Sequence, residues 1–172
     1  CIIDTDPQGS VLQWQSIDET TRLPVLHKPS GLIKKEIRSL LRKYDHILID
    51  SPPALEQITL QVLKLIEVAI VPVAPSPLDI WSANETINLI KSIKRRNRKL
   101  SPHLLVYRKV PGTGIGRQAR DALKNYDLPV FKTEITHRIA YVEAMNTGPA
   151  KKDFAPHSKA TQEIHALVKE LI

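Results

Sequence analysis

Cysteine, aromatic residues and long apolar runs are all scarce in this chain of 172 residues. The single cysteine, Cys1, excludes an internal disulfide and favours a reducing compartment. Aromatic residues make up only 5% of the chain, which argues against a protein that stacks single-stranded bases on aromatic side chains. No apolar run approaches the roughly 18 residues that a transmembrane helix needs. A methionine at position 1 is also lacking, so we expect that an upstream part of the protein is missing.

The balance of charge is basic. Lysine and arginine together number 25 against 18 aspartates and glutamates, which gives a formal net charge of +7. Such an excess favours contact with polyanions, a class that includes nucleic acids, nucleotides and acidic lipids. Charge alone does not choose among these three.

Short apolar segments alternate with helix-length amphipathic segments along the chain. Several apolar segments are continuous, which is typical of parallel strands covered on both faces. The predicted strands are residues 1–3, 46–49, 68–73, 104–107 and 130–133. The predicted helices are residues 32–41, 55–65, 78–99, 117–125 and 158–171, the last with Ser158 as N-cap. This alternation predicts one α/β domain over residues 1–172 with a mostly parallel sheet.

Three aspartates follow apolar strands at the points where open α/β sheets bind ligands. Asp4 and Asp6 come after the first predicted strand, and Asp50 comes after the second. A single aspartate of this kind is more often a turn former. Three together favour a Mg²⁺ site, in which one carboxylate holds the metal and a neighbour orients water. Pro52 and Pro53 follow Asp50 and form either a rigid turn or a switch loop that senses a γ-phosphate.

Basic residues concentrate in two regions. One is the end of the third predicted helix, where cations either complement the helix dipole or contact phosphates. Its members are Lys91, Lys94, Arg95, Arg96, Arg98 and Lys99. The second half of the chain adds Arg117, Lys132, Arg138, Lys151 and Lys152. Clustered charge of this kind is sufficient for non-specific binding to a nucleic acid duplex.

A glycine-rich stretch at residues 112–116 is similar to a phosphate-binding loop. It lacks the Lys-Ser/Thr ending of a P-loop and follows a late strand. We therefore predict that it is a loop leading into a helix. The six histidines show no spacing typical of metal ligands.

Several motifs, in order along the chain, resemble those of one ATPase family. The segment at residues 3–10, IDTDPQGS, resembles the A′ motif of the ParA/MinD-like ATPases with a deviant Walker A motif. Residues 44–53, YDHILIDSPP, resemble the Walker B segment of that family. Residues 71–81 are similar to the stretch after the next strand. The tail from residue 136 to residue 164 resembles the ParA partition proteins within the family.

This resemblance implies a fold and a set of site residues. The fold would have three α/β/α layers around a mostly parallel sheet of the P-loop NTPase type. Asp4 would help to hold the waters of Mg²⁺, and Asp6 would position the attacking water. Asp50 would be the Walker B carboxylate that reaches Mg²⁺ through water. Arg108, in the loop after the fourth predicted strand, would lie near the adenine of the nucleotide.

The resemblance also implies an activity and partners. The activity would be hydrolysis of ATP, with Mg²⁺, coupled to DNA segregation or cargo positioning. The partners would be a second copy in an ATP-dependent homodimer, non-specific DNA and a ParB-like protein, with no membrane. Arg117 and Arg138 would contact DNA in that dimer. The expected location is the bacterial cytoplasm, at the nucleoid.

One departure from the family pattern concerns the phosphate loop. In the family, a Lys-Gly-Gly-Val-Gly-Lys-Thr-type segment precedes the A′ motif, and no such segment occurs among these 172 residues. We therefore expect the fold to lack its first strand and helix, and the strand that ends at Asp50 to lose a neighbour. We also expect the chain by itself to bind ATP poorly and to hydrolyse it negligibly.

Two other functions compete with the ParA hypothesis. A MinD-like positioning ATPase would work on a membrane through an amphipathic basic helix at the C-terminus. The last predicted helix has few cations, and we expect its apolar face, formed by Ile164, Leu167, Val168 and Leu171, to complete the core instead. The second alternative is a truncated, non-catalytic module that binds DNA or a partner.

Overall fold

Strands and helices alternate along most of the chain. The computed structural model describes residues 1–17, 23–52, 57–148 and 157–172. Within them the strands are β1 (Ile2–Asp4), β2 (Val25–His27), β3 (Leu48–Asp50), β4 (Val68–Val73) and β5 (Ser101–Val106). The helices are α1 (Ser10–Ser16), α2 (Lys34–Leu40), α3 (Gln57–Leu63), α4 (Pro77–Lys94), α5 (Gly114–Lys124), α6 (Ile139–Thr147) and α7 (Lys159–Leu171). This arrangement confirms the predicted α/β class.

Three short strands form one sheet in the order β2-β1-β3, with both pairs parallel. The central strand β1 is the most protected, and Ile3 is fully buried. Ile3 pairs in register with Leu26 of β2 and Ile49 of β3. Burial of this apolar centre holds the ends of β1 and β3 at the same edge of the sheet.

The longer strands β4 and β5 form a second parallel pair, with six residues of each strand in register. The apolar run of β4 coincides with the predicted strand at residues 68–73. Helix α4 covers this pair with the buried side chains of Ile87, Ile90 and Ile93, as its 3.6-residue periodicity predicts. Helix α3 links the two sheets, because Val62 packs in the cluster around Ile3 and Leu63 packs in the cluster around β4 and β5.

The two sheets do not join through strand pairing. Among the described residues, β3 pairs only with β1 and β4 pairs only with β5. Leu48, in β3, is 61% exposed. The strand that ends at Asp50 therefore has a partner on one side only, in agreement with the expectation from the sequence.

Three elements were not predicted, namely β2, α1 and α6. None of the three shows the apolar periodicity from which a strand or a helix is predicted. Strand β2 has three residues, none of them fully buried. Helix α1 has seven residues with no buried face, and α6 likewise buries no side chain completely. Tertiary contacts, not amphipathic periodicity, therefore stabilise these elements.

The predicted strand at residues 130–133 is wrong as a regular strand. Only isolated parallel bridges form beside β5, at Val130 and Thr136. Between them the carboxylate of Glu170, from α7, accepts the backbone N–H groups of Lys132 and Thr133 at 2.6 and 2.9 Å. These donors are therefore diverted from the strand ladder to a side chain.

The ends of two helices also differ from the prediction. Helix α4 ends at Lys94, not at residue 99, because the side chain of Asn97 turns the chain back. Its Nδ2 donates to the carbonyl of Leu63 at 3.1 Å and to that of Ile66 at 2.9 Å. The glycine-rich stretch leads into a helix as predicted, and Thr113 caps α5 by accepting the N–H of Gly116.

The predicted inward face of α7 is only partly correct. Leu167 and Leu171 are half-buried, but Ile164 and Val168 are exposed. Ser158 is the N-cap, as predicted, and accepts the N–H of Thr161. No described helix has the length and apolar content required to span a bilayer.

Candidate functional site

The carboxyl ends of β1 and β3 lie side by side. Asp4 and Asp50 are direct partners in the parallel register of these strands. The next residue, Thr5, donates from its backbone N and its Oγ1 to the carbonyl of Asp50, at 3.0 and 2.7 Å. These bonds fix the loop after β1 against the end of β3, so the structure brings two of the three predicted aspartates together.

Asp4 is fully buried and serves the local backbone. Its Oδ1 accepts the N–H of Asp6 at 3.1 Å. Its Oδ2 accepts the N–H groups of Val11 and Leu12, in the first turn of α1, at 3.0 and 3.2 Å. The Asp4 carboxylate therefore holds the loop and the start of α1 through three charge-assisted bonds, which leaves it few lone pairs for a metal-bound water.

Asp6 lies on the outer side of the same loop and is half-buried. Its Oδ1 accepts the N–H of Gln8 at 2.8 Å, which closes a tight turn. Its backbone carbonyl accepts a hydrogen bond from Nε2 of His27 at 3.0 Å, so that ring nitrogen carries a proton. Gly9 adopts a left-handed backbone (φ 65°), and a Cβ there would lie 3.5 Å from the His27 ring.

His27 is a site residue that sequence reasoning missed. It comes from β2, a strand too short to show periodicity, and it packs under the A′-like loop. The only sequence clue was a histidine directly after the apolar pair Val25 and Leu26.

Asp50 differs from Asp4 in having no hydrogen bond to its carboxylate among the described residues. Asp50 is exposed as a residue, but partial desolvation of its carboxyl raises the pKa above its usual value, and the negative charges of Asp4 and Asp6 raise it further. A cation at this edge would relieve that repulsion. Protein carboxylates commonly supply only part of a Mg²⁺ shell, with water and substrate phosphates completing it.

The three aspartates therefore fit Mg²⁺ in unequal degrees. Asp50 has free carboxylate oxygens, and Asp6 retains one oxygen without a partner in the described structure. Asp4 is engaged by the backbone. No group of three His, Cys, Asp or Glu side chains is placed to hold a metal by itself within the described ranges. The arrangement fits an ion held largely through water.

Arg108, predicted to lie near adenine, follows β5 directly. It is exposed and has a positive φ of 54°, an uncommon conformation for a residue with a side chain. The preceding residue, Tyr107, lines an open pocket at the ends of β4 and β5 together with Asp79 and Thr86. The structure shows a strained turn at Arg108 and brings it no charged partner within the described residues.

Arg117 and Arg138, the predicted DNA contacts, line one open pocket of about 610 Å³ beyond β5. We call it the basic pocket. The residues that line it are Lys109, Pro111, Gly112, Arg117, Glu134, Thr136, Arg138 and Lys159. Lys109 forms an ion pair with Glu134, whereas Arg117 donates, among the described residues, to the carbonyl of Gly112 alone, at 3.1 Å.

Arg138 is not a free cation. Its Nε and Nη2 donate to Oε1 of Glu163, at 3.1 and 2.6 Å. Thr136 donates to Glu163 from its N and its Oγ1, and Tyr141 donates from its hydroxyl. We call these four residues the Glu163 cluster. It joins the start of α6 to α7, so Arg138 has a structural partner that any phosphate would have to displace.

The electrostatics of the Glu163 cluster are those of a satisfied ion pair. Burial alone would raise the pKa of Glu163, but the hydrogen bonds from Arg138, Thr136 and Tyr141 outweigh it and hold that pKa below its ordinary value. Burial and the neighbouring Glu163 raise the pKa of the Tyr141 hydroxyl far above its ordinary value. Tyr141 is therefore a neutral donor at every physiological pH.

The chain is an α/β protein in which Asp4 and Asp50 lie at the carboxyl edge of a parallel sheet, the edge at which open α/β sheets bind ligands. The family model described as AAA domain matches residues 15–102, just over half of the chain. The chain belongs to that family.

Two curated relatives are similar over most of the chain. One is the maintenance of carboxysome distribution protein A of Halothiobacillus neapolitanus, which is 27% identical over 99% of this chain and 82% of its own length. The other is the sporulation initiation inhibitor protein Soj of Bacillus subtilis, which is 23% identical over 81% of this chain and 56% of its own length. Both similarities support the ParA/MinD-like ATPase resemblance.

Solved structures show the same fold. The MinD cell division protein of Aquifex aeolicus superposes with a TM-score of 0.70, at 20% identity, over 99% of this chain and 82% of that protein. The cell division ATPase MinD of Pyrococcus furiosus gives a TM-score of 0.62, at 22% identity, over 80% of this chain and 56% of that protein. The fold is therefore that of the MinD-type P-loop NTPases.

Proposed function

We propose that the protein works as a ParA-type positioning ATPase, which dimerises around ATP, binds DNA without sequence preference and releases it on hydrolysis. The observation that carries this proposal is the cluster of carboxylates at the ends of β1 and β3 and in the loop after β1. Its members are Asp4, Asp6 and Asp50, and the raised pKa of Asp50 marks a site with uncompensated negative charge. Perturbed carboxyls of this kind concentrate at functional sites.

The three aspartates would divide the work. Asp50 would hold Mg²⁺ through water, and Asp4 would support that ion while fixing the start of α1. Asp6, on the open side of the loop, would position the attacking water. When bound, Mg²⁺ supplies charge neutralisation for phosphoryl transfer. Arg108 would lie beside the base of the nucleotide. It is exposed, at a turn where its φ is positive.

The relatives favour a positioning role over a purely metabolic one. The relative that matches nearly the whole chain is named for carboxysome distribution. By that similarity, the cargo could be a large assembly as well as a plasmid or chromosome region, and a ParB-like partner would couple the cargo to the ATPase. Arg117, which has no carboxylate partner in the described structure, would contact DNA phosphates from the basic pocket.

ATP hydrolysis by the purified gene product, with and without duplex DNA, tests the proposal. We expect Asp6→Asn to lower kcat by about 100-fold or more with little change in KM, because water positioning acts on the chemical step. Asp45→Asn is the matched control, since Asp45 is exposed and precedes β3 instead of ending it. Equal rates for the Asp6→Asn variant and the parent would contradict the assigned role.

Metal binding provides a second readout that does not depend on turnover. Mn²⁺ in place of Mg²⁺ should broaden the NMR signals of residues near Asp6 and Asp50 in the 172-residue chain. Asp50→Asn should abolish that local broadening and Asp45→Asn should preserve it. If the broadening persists in the Asp50→Asn variant, the ion binds elsewhere.

One observation favours a second function, a MinD-like ATPase that works on a membrane. Helix α7 exposes Ile164 and Val168, one turn apart, which gives it an apolar strip facing solvent. Under this alternative, replacing both residues by glutamate abolishes sedimentation with anionic vesicles and leaves ATP hydrolysis intact. Absence of ATP hydrolysis in the gene product would instead favour a non-catalytic module.

A further inference from the structure

We propose that the turn after α4 is a second contact for duplex DNA, separate from the basic pocket. The turn comprises residues 94–99, which we call the basic turn, and this inference rests on the DNA binding proposed above. Its cations are Lys94, Arg95, Arg96, Arg98 and Lys99, all of them exposed. No acidic residue interrupts this segment.

Most of these cations have no counter-charge in the part of the chain that the structure describes. The nearest ion pair of the basic turn itself joins Lys99 to Glu67 at 3.9 Å, with both side chains strongly exposed. Within the helix, Lys91 pairs at 3.6 Å with Asp127, which is also exposed. Exposed pairs at such distances are weak and leave both side chains free to rearrange. The remaining four cations of the turn form no ion pair or side-chain hydrogen bond within the described structure.

The helix dipole explains only part of the cluster. Cations in the last turn of a helix are favourable, but the effect falls off beyond that turn. Helix α4 ends at Lys94, and Arg95 is its C-cap. Arg96 and Arg98 lie past the cap, where the dipole gives no reason for two further cations and their mutual repulsion is unfavourable.

The backbone of the basic turn is held in place. Asn97, between the arginines, donates to the carbonyls of Leu63 and Ile66 at the end of α3. Leu100, which follows the turn, is almost completely buried, and its N–H donates to the carbonyl of Asn97 at 3.1 Å. Lys64, next to Leu63, is exposed and adds a cation from a second helix end. A fixed backbone limits the ordering cost of binding to the side chains.

The basic turn and the basic pocket lie at opposite ends of the same strand. The turn leads directly into β5 at Ser101, whereas Lys109 of the pocket follows the end of β5 at Val106. A six-residue strand is roughly 20 Å long. The two surfaces are therefore distinct, and removal of one leaves the other in place.

Duplex DNA is the partner that fits best. Its phosphates form a dense, regular array, and clustered Lys and Arg bind that array without reading sequence. Few aromatic residues are available to stack unpaired bases. An anionic membrane would also attract cations, but the basic turn offers no exposed large apolar side chain for insertion between lipids.

The experiment measures duplex binding by fluorescence anisotropy over a series of salt concentrations, with the purified gene product in the presence of ATP and Mg²⁺. Each lost phosphate contact should lower the slope of log affinity against log salt by about 0.9. We therefore expect R95A/R96A/R98A to lower the slope by about 2.7. Two unrelated duplex sequences should behave alike.

The control variant K34A/K35A/R38A removes the same number of charges from α2, where all three cations are exposed. It should leave the slope unchanged. Equal losses in both triple variants would overturn the inference, because net charge alone would then explain the binding. Thermal melting of each variant verifies that the fold persists.

Three further measurements distinguish this inference from the DNA binding on which it rests and from a membrane contact. If Arg117→Ala lowers the slope and R95A/R96A/R98A does not, the basic turn is wrong and DNA binding stands. If the unsubstituted gene product with ATP fails to bind duplex, the proposed DNA binding itself fails. If R95A/R96A/R98A loses only sedimentation with phosphatidylglycerol vesicles, the turn is a membrane contact and the assignment to DNA is overturned.

Discussion

The Glu163 cluster and the strand ends at Asp50 place carboxylates in opposite electrical surroundings. Glu163 accepts hydrogen bonds from Arg138, Thr136 and Tyr141, and its pKa lies below the ordinary value. Its negative charge is matched by a guanidinium and by oriented donors. The folded state therefore stabilises ionised Glu163.

Asp50 is in the reverse situation. Partial burial and the charges of Asp4 and Asp6 raise its pKa, and no cation of the described chain forms an ion pair with it. The folded state therefore disfavours ionised Asp50. Carboxyls with a pKa perturbed in this way concentrate at functional sites, which is why we propose metal binding at Asp50 and structural support at Glu163.

The largest effect is expected in the Glu163 cluster. Glu163→Ala should lower the free energy of unfolding by about 3 kcal/mol, because five hydrogen bonds are lost and Arg138 remains without its partner. Urea denaturation measures this loss. Glu143→Ala is the control, since Glu143 is an exposed glutamate of α6. A loss as small as that of the control would show that the cluster contributes nothing.

The same cluster predicts an acid dependence. A carboxyl whose folded pKa is depressed stabilises the fold above its unfolded value, which is 4.5 for a glutamate. That contribution should be lost as pH falls below 4.5 through the folded pKa. The stability difference between the parent and Glu163→Ala should therefore shrink in acid. A constant difference down to strongly acidic pH would contradict the ion pair.

Asp4→Asn should have the next largest effect. Asparagine has one acceptor oxygen where aspartate has two, so its amide nitrogen faces either the N–H of Asp6 or the N–H groups of Val11 and Leu12 and cannot accept from them. We expect a loss of about 2 kcal/mol in unfolding free energy. Hydrogen exchange should rise at the same time on the side that loses its acceptor, at Asp6 or at Val11 and Leu12. Unchanged exchange at all three amides would mean that the Asp4 carboxylate does not hold the loop to α1.

The smallest effect, and one of opposite sign, is expected at Asp50. Its folded pKa is raised, so ionisation costs stability as pH rises from 3.8 through the folded value. Asp50→Asn removes that cost and should raise Tm by a small amount near neutral pH. The gain should vanish below pH 3.8, where Asp50 is neutral in both states. Addition of Mg²⁺ should stabilise the parent more than the variant.

A lower Tm for Asp50→Asn at neutral pH would contradict this reasoning. It would mean that Asp50 makes favourable interactions when ionised, as Glu163 does. The contrast between the two regions would then be wrong, and the raised pKa would no longer support a metal site.

Much of the fold was predictable because its causes are local. Strand β4 is one continuous apolar run, and α4 carries Ile87, Ile90 and Ile93 at helical spacing. The position of Asp50 after a strand was equally visible. By contrast, the diversion of residues 132 and 133 to Glu170 involves partners almost 40 positions apart, which no local pattern encodes.

The candidate site divides in the same way. The sequence by itself determined the parallel α/β class and the aspartates at its strand ends, because apolar runs and the residues that follow them are neighbours in the chain. Only the tertiary structure decided that Asp4 serves the start of α1, that Asp50 has no counter-charge among the described residues, and that Arg138 is held by Glu163. Those roles depend on which surfaces the packed elements bring within hydrogen-bond distance, and that is settled by the burial of the whole core.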